Sequence, residues 1–285
     1  MQNKIINGNL QSQVLRDGIK NEIARLNIKP KLSIVLIGSN PASEMYVKIK
    51  MRRANEVRIE ATLHRFDSAI TNSELLKFIE SLNNDQSIHG ILVQMPLPNH
   101  IDKTAVLNTM SPDKDVDGFS PVNVGRLHNQ TDGFVPCTPL GIIHLIHSVR
   151  QDISGLRATI IGRSNIVGRP VAELLLQNDC TVNIIHSRSK SIIEDCIKSD
   201  IIVAAVGQPK LITRQFINPD AIVIDVGINK VQAEVVGDVD FDNVIDLVSY
   251  ITPVPGGVGP MTVAYLLANT LKAAKLNQSL IFNHR

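Results

Sequence analysis

Short apolar runs alternate with amphipathic stretches almost from one end of the chain to the other, and this alternation narrows the possible folds most. "LSIVLIG" (32–38), "ATLHRF" (61–66) and "GILVQMP" (90–96) read as strands. Helix-like segments over roughly 41–57 and 72–83 separate them, and Thr71 followed by Glu74 has the form of a capping box for the second. Strands joined through helices must pair in parallel, because a parallel neighbour needs a long crossover. A second series begins after "PCTPLGIIHLIHSV", whose apolar spacing suits a helix. Its strands are "RATIIG" (157–162), "TVNIIH" (181–186), "DIIVAAVG" (200–207), "AIVIDVG" (221–227) and "VSYIT" (248–252), and a last helix runs from about Pro260 to Lys275. The expected fold is α/β: two parallel-sheet domains with a cleft between them. The boundaries are 1–138 for the first domain, with a C-terminal helix 260–285 packing back on it, and 139–259 for the second.

Composition bears on partners. A net charge of +2, from 29 Lys and Arg against 27 Asp and Glu, is too slight to draw nucleic acid or a membrane surface. No apolar run approaches the length of a bilayer span, and "MQNKIINGNLQSQ" lacks the features of a signal peptide. Cys137, Cys180 and Cys196 are far apart and form no C-x-x-C, so they read as buried thiols of a cytoplasmic protein. No set of acidic, His or Cys residues has the spacing of a metal site.

The second series opens on "IIGRSNIVGRP" (160–170), an irregular form of the dinucleotide-binding turn. Helix N-termini leave N–H groups unpaired and carry partial positive charge, which welcomes phosphate. Gly162 can supply the tight turn, Ser164 can donate to phosphate, and Gly168 can permit close packing onto the sheet. A Walker loop is excluded, because no Lys-Ser or Lys-Thr follows Gly168. The next strand ends in "HSRSK", with Ser187 and Arg188 where an NAD site commonly carries an acid. Those groups, with Arg163 from the first loop, can bond a 2′-phosphate, which points to NADP.

In the first domain, Tyr46 and Lys50 lie four apart in "NPASEMYVKIKMRRANE", on one helix face near the helix start. A lysine in such a place can act as general acid or base, although a basic helix face is also what solvent favours. Gln94, ending a strand ahead of two prolines, can hydrogen-bond a ligand or hold Lys50. Either Asp115 or Asp117 in "KDVDGF" can recognise the amidine-like edge of a heterocycle. The stretch 111–127 lacks periodicity and reads as a linker or an active-site loop. "TPVPGGVGPMT" (252–262) is a rigid loop ahead of the last helix, with Pro260 suited to the first helical turn. Its constraint suits a plain turn or a ligand wall, with Pro255, Gly256 and Gly257 as substrate-binding candidates.

Taken in order, "YVKIK", "GILVQMPLP", "PDKDVDGF", "NVGRL", "PCTPLGI", "GRSNIVGRP", "AIVIDVGIN", "VGDVDF" and "ITPVPGGVGPMT" closely resemble the bifunctional methylenetetrahydrofolate dehydrogenase/methenyltetrahydrofolate cyclohydrolase family. The resemblance spans about residues 30–272 and implies NADP-dependent oxidation of 5,10-methylenetetrahydrofolate, then hydrolysis to 10-formyltetrahydrofolate, in a homodimer. It implies Lys50 as the catalytic lysine and Tyr46 as the residue stacking on or orienting the folate. It further implies Gln94 as the support of Lys50 and Asp117 as the acid on the pterin edge. Gly162, Arg163, Ser164, Ser187 and Ile228 are implied to line the NADP site. Asn55 and Arg58 depart from the Cys and Gly typical of the family, and Arg58 puts a glycine-type helix ending in question. The rival readings are a dehydrogenase that has lost the hydrolytic step and a non-catalytic NADP-sensing module.

Overall fold

Two separate parallel sheets realise the alternation in the sequence. The computed structural model describes residues 4–232 and 234–283. Its elements begin with α1 (Gly8–Leu26), β1 (Lys31–Ile37), α2 (Pro41–Glu56), β2 (Glu60–Phe66), α3 (Asn72–Asn84) and β3 (Gly90–Val93). Three short helices follow: α4 (Lys103–Thr109), α5 (Pro121–His128) and α6 (Cys137–His147). Then come β4 (Arg157–Ile161), α7 (Gly168–Gln177), β5 (Thr181–Ile185), α8 (Ile192–Ile197), β6 (Ile201–Ala204) and β7 (Ile222–Asp225). The chain continues through β8 (Asn229–Val231), β9 (Glu234–Val236), α9 (Phe241–Val244), β10 (Tyr250–Ile251) and α10 (Val258–Asn283). Residues 284 and 285 of the expected last helix lie outside the described residues.

One compact unit comprises Val14–Cys137 with the chain from Val263 onward. Its sheet has the order β2-β1-β3, all parallel, with Val35 of β1 beside His64 and Val93. β1 is buried on both faces, as a strand between two helical layers must be. Leu32, Ile34 and Leu36 point into one core with Val47, Leu266, Leu267 and Leu271, while Val35 and Ile37 point into another with Leu75, Ile79 and Val106. At about 25 cal/mol per Å² of apolar surface, these two cores hold the layers together. The capping box at α3 is present, with Thr71 and Glu74 each bonding the other's backbone.

The other unit comprises the N-terminal residues through Gln13 and Thr138–Thr262. Its sheet has the order β10-β7-β6-β4-β5, again all parallel. Ile6 donates its N–H to Ile251 O and Ile251 donates to Lys4 O, so the N-terminal segment runs along the β10 edge. Ile202, Ala204 and Val223 point into a core with Ile212, Val239 and Val244.

Three features depart from the sequence reading. The helix α1 carries its buried stripe at Ser12, Arg16, Ile19 and Ile23, and the two polar members erase the apolar signal. The stretch 111–127 is no linker: it contains α5, capped by Ser120 and started by Pro121, with only Asn123 and Leu127 buried. β8 and β9 form a short antiparallel ladder too brief to show alternation.

Candidate active site

Lys50 sits at the middle of α2, further along than the helix start that the sequence suggested, and is 9% exposed. Asn40 caps that helix by accepting the N–H groups of Ala42 and Ser43, with Pro41 at its first position. The Lys50 Nζ donates to Gln94 Oε1 at 2.9 Å. Gln94 follows β3 directly, and its own N–H donates to Val35 O, so the sheet fixes the base of that side chain. Its amide is oriented in turn, because Nε2 donates to Met95 O at 2.6 Å. Tyr46, one turn earlier on α2, is half-buried, and burial raises its phenol above the ordinary range.

The two acids of "DVDG" have different fates. Asp115 is fully buried and its oxygens are committed: Oδ1 accepts from Gly118 N, and Oδ2 accepts from Ser120 N at 2.7 Å and Asn123 Nδ2 at 3.0 Å. Asp115 therefore shapes the loop. Burial raises the Asp117 carboxyl above the ordinary carboxylate range, with Lys50 opposing the rise and Asp115 adding to it, while the nearby Cys137 thiol donates to Val116 O at 3.3 Å. The same neighbourhood pushes the Cys137 thiol well up, first by burial and then by the Asp117 charge. Lys50, Asp117 and Cys137 thus share one electrostatic site. Gly118 turns the loop at φ +72°, where an added Cβ would come within 2.8 Å of Phe134 O. Asn269 of α10 ties the loop down by donating to Val116 O at 2.8 Å and Val135 O at 3.1 Å. Sequence reading passed over Asn269, since an Asn inside an apolar helix gives no periodic signal.

In the five-stranded unit, β4 and β5 end side by side at Ile161 and Ile185. Gly162 leaves β4 at φ +121°, and a Cβ there would lie 2.2 Å from Ala205 O. Gly168 opens α7 so close beneath that its Cβ would lie 2.3 Å from Gly162 O. Both glycines are therefore required by close backbone approach, as the irregular motif indicated. Ser164 Oγ accepts the N–H groups of Val167 and Gly168, which leaves its hydroxyl proton free to donate outward. Arg163 and Ser164 are exposed, as are Ser187 and Arg188 beyond β5. The turn carrying the latter pair is closed by His186 N donating to Ser189 Oγ and Arg188 N donating to His186 Nδ1.

Ile228, after β7, is 52% exposed. The Pro255–Gly257 loop after β10 is packed by the start of α1: Asn9 N donates to Gly256 O, and a Cβ on Gly8 would strike Gly257 O. The sequence reading missed two buried carboxylates, Asp225 and Asp238, which lie beneath the loops after β6 and β7. Among the described residues, no group of three or more His, Cys, Asp or Glu is placed to hold a metal ion, and no helix is long and apolar enough to cross a membrane.

Comparison with known proteins gives concordant results. Residues 6–117 match the sequence model of the tetrahydrofolate dehydrogenase/cyclohydrolase catalytic domain, and residues 136–278 match that of its NAD(P)-binding domain. The bifunctional protein FolD of Rickettsia bellii is 50% identical over 280 residues, covering 96% of this chain and 99% of its own. Among solved structures, the bifunctional methylenetetrahydrofolate dehydrogenase/cyclohydrolase FolD of Campylobacter jejuni superposes with TM-score 0.93 at 44% identity, over 95% of this chain and 98% of that one. The Trypanosoma brucei enzyme, solved with NADP and an inhibitor, has TM-score 0.91 at 38% identity, over 95% of this chain and 97% of that one.

Proposed function

The chain belongs to the tetrahydrofolate dehydrogenase/cyclohydrolase family, and from that premise we propose how its own residues carry two successive reactions. The enzyme oxidises 5,10-methylenetetrahydrofolate with NADP and hydrolyses the resulting methenyl cation to 10-formyltetrahydrofolate. The observation that carries the assignment of roles is the buried Lys50–Gln94 hydrogen bond.

NADP supplies a hydride acceptor. The residues present fit it: Gly162 and Gly168 each lack room for a side chain, so the backbone turns tightly into the start of α7, where a pyrophosphate can approach, and Ser164 keeps a proton to donate. Ser187 and Arg188, exposed at the end of β5, provide a hydroxyl and a cation for the 2′-phosphate. Arg163 and Ile228 complete that lining.

Asp117 holds the amino-pyrimidinone edge of the pterin through charge-assisted hydrogen bonds, and Tyr46 orients the ring. Lys50 moves the proton: hydrolysis must deprotonate the attacking water and then protonate the departing ring nitrogen, and Gln94 keeps Nζ aimed for both. Hydride transfer moves no side-chain proton and draws on alignment of the two rings. The presence of the Lys50–Gln94 pair speaks against loss of the hydrolytic step. The unit built on the first sheet carries the folate chemistry, and the five-stranded unit carries the cofactor. A homodimer and a cytoplasmic setting complete the proposal, the latter supported by three buried free thiols.

The test follows NADPH and methenyltetrahydrofolate absorbance together after mixing enzyme with methylenetetrahydrofolate and NADP. NADPH should appear while the methenyl signal stays low; NADPH appearing with unassisted clearance of the methenyl signal would leave a dehydrogenase alone.

A further inference from the structure

At the C-terminal edge of the five-stranded sheet, two carboxylates are buried where the mechanism above uses neither. Asp238 is fully buried. Its Oδ2 accepts the N–H groups of Val206 at 2.7 Å and Gly207 at 3.0 Å. Its Oδ1 accepts Gln208 N and the side chain of Asn229, both at 2.9 Å. Asp225, 3% exposed at the end of β7, holds the backbone that carries Asp238: it accepts the N–H groups of Gly227, Asp238 and Val239. The pair fills the space that side chains would otherwise need. A Cβ on Gly227 would lie 2.2 Å from Asp238 Oδ1, and one on Gly237 would lie 1.8 Å from Asp225 Oδ2.

The place matters as much as the bonding. From β4 the chain passes to β5 on one side and then to β6 on the other, so the order in which strands are added reverses between β4 and β6 while all stay parallel. Ligands of open parallel sheets bind outside the strand ends at such a reversal. Gly162 forms the β4 side of that crevice, in contact with Ala205, and the 206–208 loop forms the β6 side. Three consecutive N–H groups in such a loop make a ready anion cradle. Here Asp238 fills it from within, which leaves the Gly162–Ser164 turn as the open phosphate position.

We propose that Asp238, supported by Asp225, is a positioning residue for the cofactor: it fixes the loops after β6 and β7 as the second wall of the crevice and confines the pyrophosphate to the Gly162 turn. This rests on reading that turn and Ile228 as the NADP site. Asp238 also links the two loops to each other, because Asn229, next to Ile228, bonds the same oxygen as Gln208 N.

The two reactions provide the test, since hydrolysis of supplied methenyltetrahydrofolate needs no NADP. In Asp238→Asn, the amide nitrogen faces N–H groups and leaves some of them unpaired. The Kd and KM for NADP should rise by about tenfold or more, while KM for folate and the hydrolytic rate stay within about twofold. Asn229→Ala removes one half-exposed donor and should show the same pattern at about threefold. If the folded Asp238→Asn enzyme binds NADP as the wild type does, or loses both activities equally, the proposal is overturned. If that variant does not fold, unchanged NADP binding by Asn229→Ala overturns it. Arg188→Asp separates this from the cofactor-site reading. Weakened NADP binding by Arg188→Asp, with none in the Asp238 and Asn229 variants, rejects the positioning role alone. Unchanged binding by Arg188→Asp rejects the site.

Discussion

Lys50 and Gln94 lie 44 positions apart in the chain, yet a 2.9 Å hydrogen bond between buried side chains joins them. α2 places the ammonium and the end of β3 places the amide, so two rigid elements fix the pair. This geometry predicts a split between the two reactions. Lys50→Met keeps the apolar stem and removes the titrating group, and should lower hydrolysis by about 10²–10⁴-fold while the dehydrogenase falls less. Lys50→Arg should not restore hydrolysis, because a guanidinium does not give up its proton. The time course of methenyl absorbance after adding NADP checks this; wild-type clearance by the Met variant would reject Lys50 as the proton carrier.

The two acids of the 115–117 stretch should fail in different ways. Asp115→Ala strands the Ser120 N–H inside the protein and takes one of two acceptors from Gly118 N and from the Asn123 amide, which keep Asp115 O and Pro112 O, at a cost of about 1–3 kcal/mol. It should show as a lower Tm. Asp117→Ala removes no such support and should leave Tm near that of the wild type, while folate binding and both activities weaken together. Thermal melts alongside folate titrations distinguish the two. A large fall in Tm without loss of folate affinity for Asp117→Ala would reverse the assignment.

Cofactor choice should turn on the end of β5. Arg188→Asp replaces an exposed cation with an anion at the position proposed for the 2′-phosphate, so KM should rise far more for NADP than for NAD. Steady-state kinetics with both cofactors measure this. Equal changes for the two would remove Arg188 from the site.

Arg58 occupies a place where glycine fits better. Its φ is +66°, with Arg58 N donating to Asn55 O and Ile59 N donating to Ala54 O. This is the Schellman ending of a helix, formed here without glycine. The ending that Arg58 put in question is therefore present, and buried Ala54 and Ile59 hold it. An L-residue in this region costs about 1–2 kcal/mol, partly offset by the extra freedom glycine has when unfolded. Arg58→Gly should stabilise the protein by about 0.5–1 kcal/mol in urea unfolding, with activity unchanged.

Burial pushes Asp225 up to about 6, opposed by three backbone donors and reinforced by the nearby Asp238 charge. The unfolded value is about 3.9. Between these two values the folded state holds more protons than the unfolded one, so this group's contribution to stability falls as pH rises from about 4 to 6 and is flat above that. The full effect is on the order of 3 kcal/mol. Denaturant unfolding of wild type and Asp225→Asn at either end of the window measures it. The variant's stability relative to wild type should be higher by that order at the upper pH, and a pH-independent difference would refute it.

Much was legible in the sequence because backbone geometry imposes it locally. Strand alternation, the Thr71–Glu74 box and the close-packed glycines Gly162 and Gly168 each follow from spacing over a few residues. What α1 and α5 hid was also local in origin: polar residues on a buried stripe, and a helix too short to show a period. Other questions depended on which distant groups meet. "DVDG" offers two equivalent carboxylates, and only the folded loop shows Asp115 consumed by Ser120 and Asn123 while Asp117 feels the charge of Lys50. Asp225 and Asp238 look like ordinary acids at strand ends until the sheet order brings the β6 loop over them. A carboxylate's role is set by the donors that reach it, and in a parallel sheet those donors arrive from crossovers tens of residues away, which no local pattern records.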